Sequence, residues 1–227
     1  MSALYIVATP IGNLEDITKR ALRILTEVDL ILCEDTRTTK KLLEHYQIKT
    51  PTLSYHQHSG LQKIDYIINL LKQGKNLALV SDAGTPGISD PGNKLIEEIK
   101  ESLKEEVKII PIPGPSAVTT AASISGFPVD KFIFMGFPPA KRKRKKFFEE
   151  IIRQLVNLKY PVIFYESPHR ILKTLNELKI LNQNLKIVVA RELTKKFETT
   201  YRGDVGKVIE EIEKDKIKGE FVVIVEK

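Results

Sequence analysis

The chain has 227 residues, 42% of them apolar and 29% charged, with a net charge of +7 and one cysteine. That apolar fraction supports a packed core and excludes a disordered chain, and the length allows one large α/β domain or two small ones. No stretch reaches the roughly 18 to 20 consecutive apolar residues of a membrane span, no basic leader precedes the first apolar run, and the lone Cys33 excludes an internal disulfide or a multi-thiolate zinc site. A cytoplasmic protein with no membrane partner is expected.

In chain order, strands are predicted at Leu4 to Ala8, Leu30 to Cys33, Leu77 to Ser81, Val107 to Ile110, Phe132 to Met135, Val162 to Tyr165, Lys186 to Ala190, Thr199 to Arg202 and Phe221 to Val225. Helices fill the intervals. Ala21, Leu22, Leu25 and Val28 recur at helical spacing, as do Ile64, Ile67, Ile68 and Leu71, and later Phe147, Phe148, Ile151, Ile152 and Leu155. Strands alternating with helices predict an α/β fold with mostly parallel sheets. Small residues, Gly and Pro interrupt the pattern at Ser123-Ile-Ser-Gly-Phe-Pro128, which predicts two α/β domains, residues 1–125 and 126–227.

Several strands end in loops too specific to be plain connections. Thr9-Pro-Ile-Gly-Asn-Leu-Glu-Asp16 follows the first strand, and ligands of open α/β sheets lie at the carboxyl ends of strands. Ser81-Asp-Ala-Gly-Thr-Pro-Gly-Ile-Ser-Asp-Pro-Gly92 holds three glycines and two prolines, a backbone that a small ligand can approach closely. Its end also reads as a helix start, with Asp90 as cap and Pro91 as first helical residue. Pro111-Ile-Pro-Gly-Pro-Ser-Ala117 leads into a helix of very small residues, and Tyr165-Glu-Ser-Pro-His-Arg170 and Ala190-Arg-Glu-Leu-Thr-Lys195 put ionisable groups just past two further strands. A Gly-x-Gly-x-x-Gly dinucleotide loop and a Walker loop are both missing, so neither NAD-type nor P-loop chemistry is supported.

Charge divides unevenly. Residues 1–120 hold 14 Lys plus Arg against 15 Asp plus Glu, and residues 121–227 hold 22 against 14, giving −1 and +8. Six of those 22 are consecutive: Lys141, Arg142, Lys143, Arg144, Lys145 and Lys146. Such a run can bind a polyanion through counterion release, or it can be a solvated surface that keeps the protein soluble.

Together the loops, with Cys33-Glu-Asp-Thr-Arg37 and Pro113-Gly-Pro-Ser-Ala117, resemble the ribosomal RNA small-subunit methyltransferase I group within the tetrapyrrole methylase family, from about residue 4 to residue 225. The resemblance implies S-adenosylmethionine (SAM) as methyl donor, held in a cleft between two α/β domains, a homodimer, and 2′-O-methylation of a cytidine ribose in the decoding region of 16S rRNA, with the 30S subunit as partner. By position, donor contacts fall on Ile11, Ala83, Gly84, Thr85, Ile88, Ser116 and Ala117, and in the second half near Glu166 and Leu193. Tetrapyrrole-modifying relatives have Gly-Asp-Pro where this chain has Gly84-Thr85-Pro86, which makes Asp82 the alternative acidic contact.

A ribose hydroxyl is a poor nucleophile, so a base or a cation beside it is expected to help. Candidate catalytic residues are Glu34, Asp35, Arg37, Glu166, Arg191 and Glu192, with His169 and Lys195 as further orienting or charge-stabilising groups; structural ion pairs are the competing explanation for each. His56 and His58 lack a third ligand nearby, so no metal is expected. Lys141 to Lys146 are the expected RNA-binding residues. The alternatives to an rRNA methyltransferase are a tetrapyrrole C-methyltransferase sharing the donor site and a non-catalytic RNA-binding module.

Overall fold

The computed structural model describes residues 2–56, 59–90 and 92–227, in two compact units, Met1–Ser116 and Ala117–Lys227. His58 and Pro91, the latter expected to open a helix, lie outside the described residues. The first unit runs β1 (Ser2–Val7), α1 (Lys19–Glu27), β2 (Leu30–Cys33), α2 (Thr36–His45), β3 (Thr52–Ser54), α3 (Leu61–Lys72), β4 (Leu77–Leu79), α4 (Gly92–Leu103) and β5 (Val107–Ile112). Its strands form one parallel sheet in the order β3-β2-β4-β1-β5.

Both faces of this sheet are covered, which explains the near-continuous apolar strand sequences. Side chains alternate between the faces. Leu4, Leu32, Leu77 and Leu79 pack with Ile64, Ile67 and Leu71 of α3 and Leu95 and Ile99 of α4. Val7, Ile31, Cys33 and Ala78 pack with Ala21, Ile24 and Leu25 of α1 and Leu43 of α2. Each fully buried Leu or Ile stabilises the unit by about 1.5–3 kcal/mol relative to exposure. Cys33 is one of these core residues, and burial pushes its thiol pKa up.

The chain leaves β1 by α1 toward β2 and leaves β4 by α4 toward β5, on opposite faces and in opposite directions along the sheet. β1 and β4 are neighbours. The crevice beyond their carboxyl ends is therefore the topological switch point, where open α/β sheets bind ligands.

The second unit runs α5 (Ala117–Ser125), β6 (Ile133–Phe134), α6 (Arg144–Asn157), β7 (Val162–Glu166), α7 (Ile171–Leu181), β8 (Lys186–Arg191), β9 (Thr199–Asp204), α8 (Val205–Glu213) and β10 (Phe221–Glu226). Its sheet order is β6-β7-β10-β8-β9. Phe148, Ile151, Leu175, Leu178, Val208 and Ile212 of α6, α7 and α8 pack on Phe164, Ile187, Val189 and Val223 of the sheet. α5 packs on β10 and β7 and therefore belongs to this unit, so the small-residue run 123–128 spans the end of that helix and lies within the unit.

Only β6 and β7 pair in parallel here; β10 runs antiparallel to β7 and β8, and β9 antiparallel to β8. The expectation of mostly parallel sheets thus holds for the first unit and is corrected for the second. The cause is local. Between Arg191 and Thr199 the chain turns back without a helix, which only an antiparallel pair permits, and that reversal sets the direction of both later strands.

Candidate active site

Three loops of the first unit meet at the switch point. Thr9 and Gly84 exchange backbone hydrogen bonds, Thr9 N–H to the Gly84 carbonyl at 2.9 Å and Gly84 N–H to the Thr9 carbonyl at 3.0 Å, joining the loops after β1 and β4. The Thr9 hydroxyl donates to the Ser81 carbonyl at 3.2 Å, and the Thr85 hydroxyl donates to the Pro115 carbonyl at 3.2 Å, which adds the loop after β5. Gly84 has φ +83°, and a Cβ there would sit 3.4 Å from Ile11 Cγ2. At the far end of the second loop, Asp90 Oδ1 accepts from Gly87 N–H at 2.7 Å and Gly92 N–H at 2.8 Å.

These bonds hold the backbone and leave other groups outward. Ile11 is buried beneath Gly84, while Asp82, Ala83 and Ile88 are exposed, Ile88 to 44%. An exposed carboxylate beside an exposed branched apolar side chain suits a ligand that combines cationic and apolar parts, and SAM is such a molecule. Thr85 is half-buried with its hydroxyl already engaged; Ser116 ends the unit and Ala117 opens α5.

The segment after β2 joins the same cluster. Asp82 Oδ1 accepts from Asp35 N–H at 3.1 Å. Asp35 caps α2, accepting from Arg37 N–H at 2.8 Å and from the Arg37 guanidinium at 2.7 Å. That guanidinium, with the cap bond, pulls the Asp35 carboxyl down to about 2, so Asp35 is ionised but a weak base. Glu34 differs. Burial, reinforced by the charges of Asp90 and Asp82, pushes its carboxyl up to about 7. Two adjacent carboxyls are thus driven apart in acidity, the pattern that separates a proton acceptor from a fixed charge.

In the second unit the candidates are engaged in ion networks. The Glu166 side chain is fully buried: Oε1 accepts from Ser167 N–H at 2.7 Å and pairs with Arg170 at 2.8 Å, and Oε2 accepts from the Thr174 hydroxyl at 2.6 Å with Arg144 at 3.7 Å. Arg144 is 6% exposed; it also donates to Glu177 Oε2 at 2.8 Å and Thr174 Oγ1 at 2.6 Å, and lies over the Phe148 ring. Its expected place among phosphate-facing cations is corrected, because the guanidinium points into the unit. Lys141, Arg142, Lys143, Lys145 and Lys146 are exposed. Thr174 and Glu177 were not legible as partners, although a buried threonine amid the Ile171, Leu175 and Leu178 stripe of α7 is the kind of polar core residue that marks such a network.

Arg191 is likewise buried, donating to Tyr201 at 3.2 Å, Asp215 at 2.7 Å and the Lys216 carbonyl at 2.8 Å, with Nε buried and unpartnered. Glu192 has φ +52°, and its Oε1 accepts from Lys195 at 3.0 Å and Glu220 N–H at 3.0 Å. Burial opposes ionisation there, but the Lys195 and Glu220 hydrogen bonds prevail and hold the carboxyl below the ordinary range. Leu193 is buried and His169 exposed. Among the described residues no group of three or more His, Cys, Asp or Glu side chains could hold a metal ion, and no helix is long and apolar enough to cross a membrane.

Residues 3–209 match the family model described as tetrapyrrole (corrin/porphyrin) methylases. The chain belongs to that family. Among curated tetrapyrrole methylase relatives, it is 46% identical over 224 residues to the ribosomal RNA small subunit methyltransferase I of Thermotoga maritima, covering 99% of this chain and 98% of that one. The protein of the same name from Vibrio cholerae is 48% identical over 225 residues, covering 98% of this chain and 76% of that one. Solved structures share the tetrapyrrole methylase fold at low identity. Diphthine synthase superposes with a TM-score of 0.76 at 13% identity, over all of this chain and 90% of the other. A cobalt precorrin-4 methyltransferase gives 0.69 at 18%, over 99% and 94%.

Proposed function

We propose that this tetrapyrrole methylase transfers a methyl group from SAM to small-subunit ribosomal RNA, and that the acceptor is the 2′-hydroxyl of a cytidine ribose. The observation that carries the reading is identity of 46% and 48%, over nearly the whole chain, to two proteins named ribosomal RNA small subunit methyltransferase I. The switch-point loops support the donor half of it. Asp82, Ala83, Gly84 and Ile88, with Ile11 beneath, would hold SAM, joined by Thr85 and Ser116 at the family's positions. When bound, SAM supplies an electrophilic methyl group on a sulfonium.

The residues of the chain have two tasks in such a transfer. The first is positioning, because acceptor oxygen, methyl carbon and sulfur must lie in line, and a prearranged geometry can supply up to about 7–11 kcal/mol of a barrier. The bridge between Thr9 and Gly84 and the Asp90 cap provide a fixed frame. The second is taking the proton that the hydroxyl loses as its oxygen bonds to carbon and the carbon–sulfur bond breaks. Of the carboxyl groups considered, Asp35, Glu166 and Glu192 are held by cations, whereas Glu34 is half-buried, faces like charges and titrates near neutrality, where a general base is most effective. Glu34 is assigned as the proton acceptor.

The test is transfer of labelled methyl from SAM to 30S subunits lacking the modification, followed by mapping of 2′-O-methyl positions. Label at one cytidine ribose of 16S rRNA is expected. Label on a porphyrinogen and not on 30S subunits would make the chain a tetrapyrrole C-methyltransferase, and SAM binding with no transfer to either would remove the reading altogether.

A further inference from the structure

Phe137 stands with 53% of its surface exposed on the connection 136–140, between β6 and the basic run. One exposed aromatic is ordinary. Its mounting is not. Tyr165 N–H donates to the Gly136 carbonyl at 2.9 Å, Arg170 to the Pro138 carbonyl at 3.1 Å and Arg144 to the Pro139 carbonyl at 3.4 Å, and both arginines are paired to the buried Glu166 carboxylate. Two consecutive prolines stiffen the same five residues. The Phe137 ring lies 5.2 Å from that of Tyr165, itself 5.0 Å from Phe134, so one flank is supported by aromatic packing.

The charge that follows is hard to explain as helix architecture. Lys141, Arg142 and Lys143 precede α6, and Lys145 and Lys146 occupy its first turn, where cations oppose the helix dipole. Lys143 adopts φ +66° and caps the helix with no side-chain bond. Only Lys145 of the five has an acidic partner among the described residues, Glu149 at 3.7 Å. The first of these cations is four residues from Phe137, within about 14 Å of backbone reach. A rigid exposed ring beside five exposed cations, four of them without an acidic partner among the described residues, matches a strand that offers both base faces and phosphates.

We propose that Phe137 and the five exposed cations form a docking surface for single-stranded RNA, with Phe137 as the platform on which an unpaired base stacks. The proposal rests on the reading of the protein as an rRNA methyltransferase and specifies how the substrate is recognised. An A-form duplex keeps its base faces internal, so the platform selects unpaired nucleotides. Arg144 is a positioning residue here: it fixes the loop that carries the ring without facing phosphate.

The test uses the full chain and fluorescence anisotropy with a labelled single-stranded cytidine-containing oligoribonucleotide, the same sequence as a duplex, and 30S subunits in the transfer assay. Phe137→Ala and Phe137→Leu should each weaken single-strand binding about tenfold or more. The slope of log affinity against log salt should stay unchanged, since no phosphate contact is lost. Phe137→Tyr should bind as the parent does, and duplex binding should barely change in any variant. Parent-like binding by Phe137→Leu overturns the stacking role, as does a Phe137→Ala variant whose only defect is loss of self-association in sedimentation, which would make the face a subunit contact. Failure of the parent to methylate 30S subunits would count against the functional reading alone, because the oligonucleotide measurement is independent of it.

Discussion

Glu34 and Asp35 are neighbours in sequence with opposite environments, and the difference is testable by pH. The folded pKa of Glu34, about 7, is raised from 4.5 by burial and the nearby Asp90 and Asp82 charges. The stability this represents is fully present below pH 4.5 and is lost as pH rises to about 7. Glu34→Gln should therefore gain stability over the parent at pH 8, on the order of 1 kcal/mol after solvent screening, and little at pH 4.5, read as urea midpoints. The same variant should lose transfer activity while retaining SAM binding in calorimetry. Asp90→Asn keeps an oxygen for Gly87 and Gly92 but removes a like charge, so the rise of kcat with pH should move to lower pH. Arg144 presents the other residue-scale case. Arg144→Met leaves buried Glu166 short of one cation and should destabilise the chain by about 3 kcal/mol. The double variant with Glu166→Gln should lose less than the sum of the two single changes, as in a coupled pair.

At the scale of elements, the strands with apolar runs and the helices with clean stripes were legible, and what escaped has physical causes. β2 falls at the predicted Leu30 to Cys33, and α3 buries the predicted stripe Ile64, Ile67, Ile68 and Leu71. β3 gave no signal, because three half-buried residues after Pro51 at a sheet edge carry no apolar run. The direction of the second sheet's strands also escaped, since antiparallel β8, β9 and β10 are as apolar or as mixed in sequence as parallel strands; only the helix-free turn 192–198 separates the two cases. In the first unit the loops after β1 and β4 were legible as site material from their glycines and prolines, but the bridge joining them depends on strand order. That bridge predicts the effect of Gly84→Ala. At φ +83° an alanine is strained by about 1–2 kcal/mol, while its methyl would only reach van der Waals contact with Ile11, 3.4 Å away. A modest fall in melting temperature with a disproportionate loss of SAM affinity in calorimetry is expected; a fall in both of the same small size would place Gly84 outside the donor site.

For the whole molecule, net charge acquires meaning only after burial is known. Of the six consecutive cations in a chain of net charge +7, Arg144 is 6% exposed and belongs to a core network, so the surface run numbers five. Replacing Lys141, Arg142, Lys143, Lys145 and Lys146 by glutamine takes the chain from +7 to +2 and leaves the Arg144 anchor intact. If all five face phosphates of a single strand, the slope of log affinity against log salt should become shallower by up to about 3.5, at roughly 0.7 per contact. Melting temperature should hold or rise at low salt, because cations at the start of α6 oppose its dipole. Arg144→Gln should do the reverse, lowering the melting temperature sharply while changing the salt slope by less than one contact. The two variants remove charge from adjacent positions in sequence, so their opposite signatures separate charge that holds the fold from charge that holds RNA. Equal signatures would mean that the ion network around Glu166 does not govern the basic run.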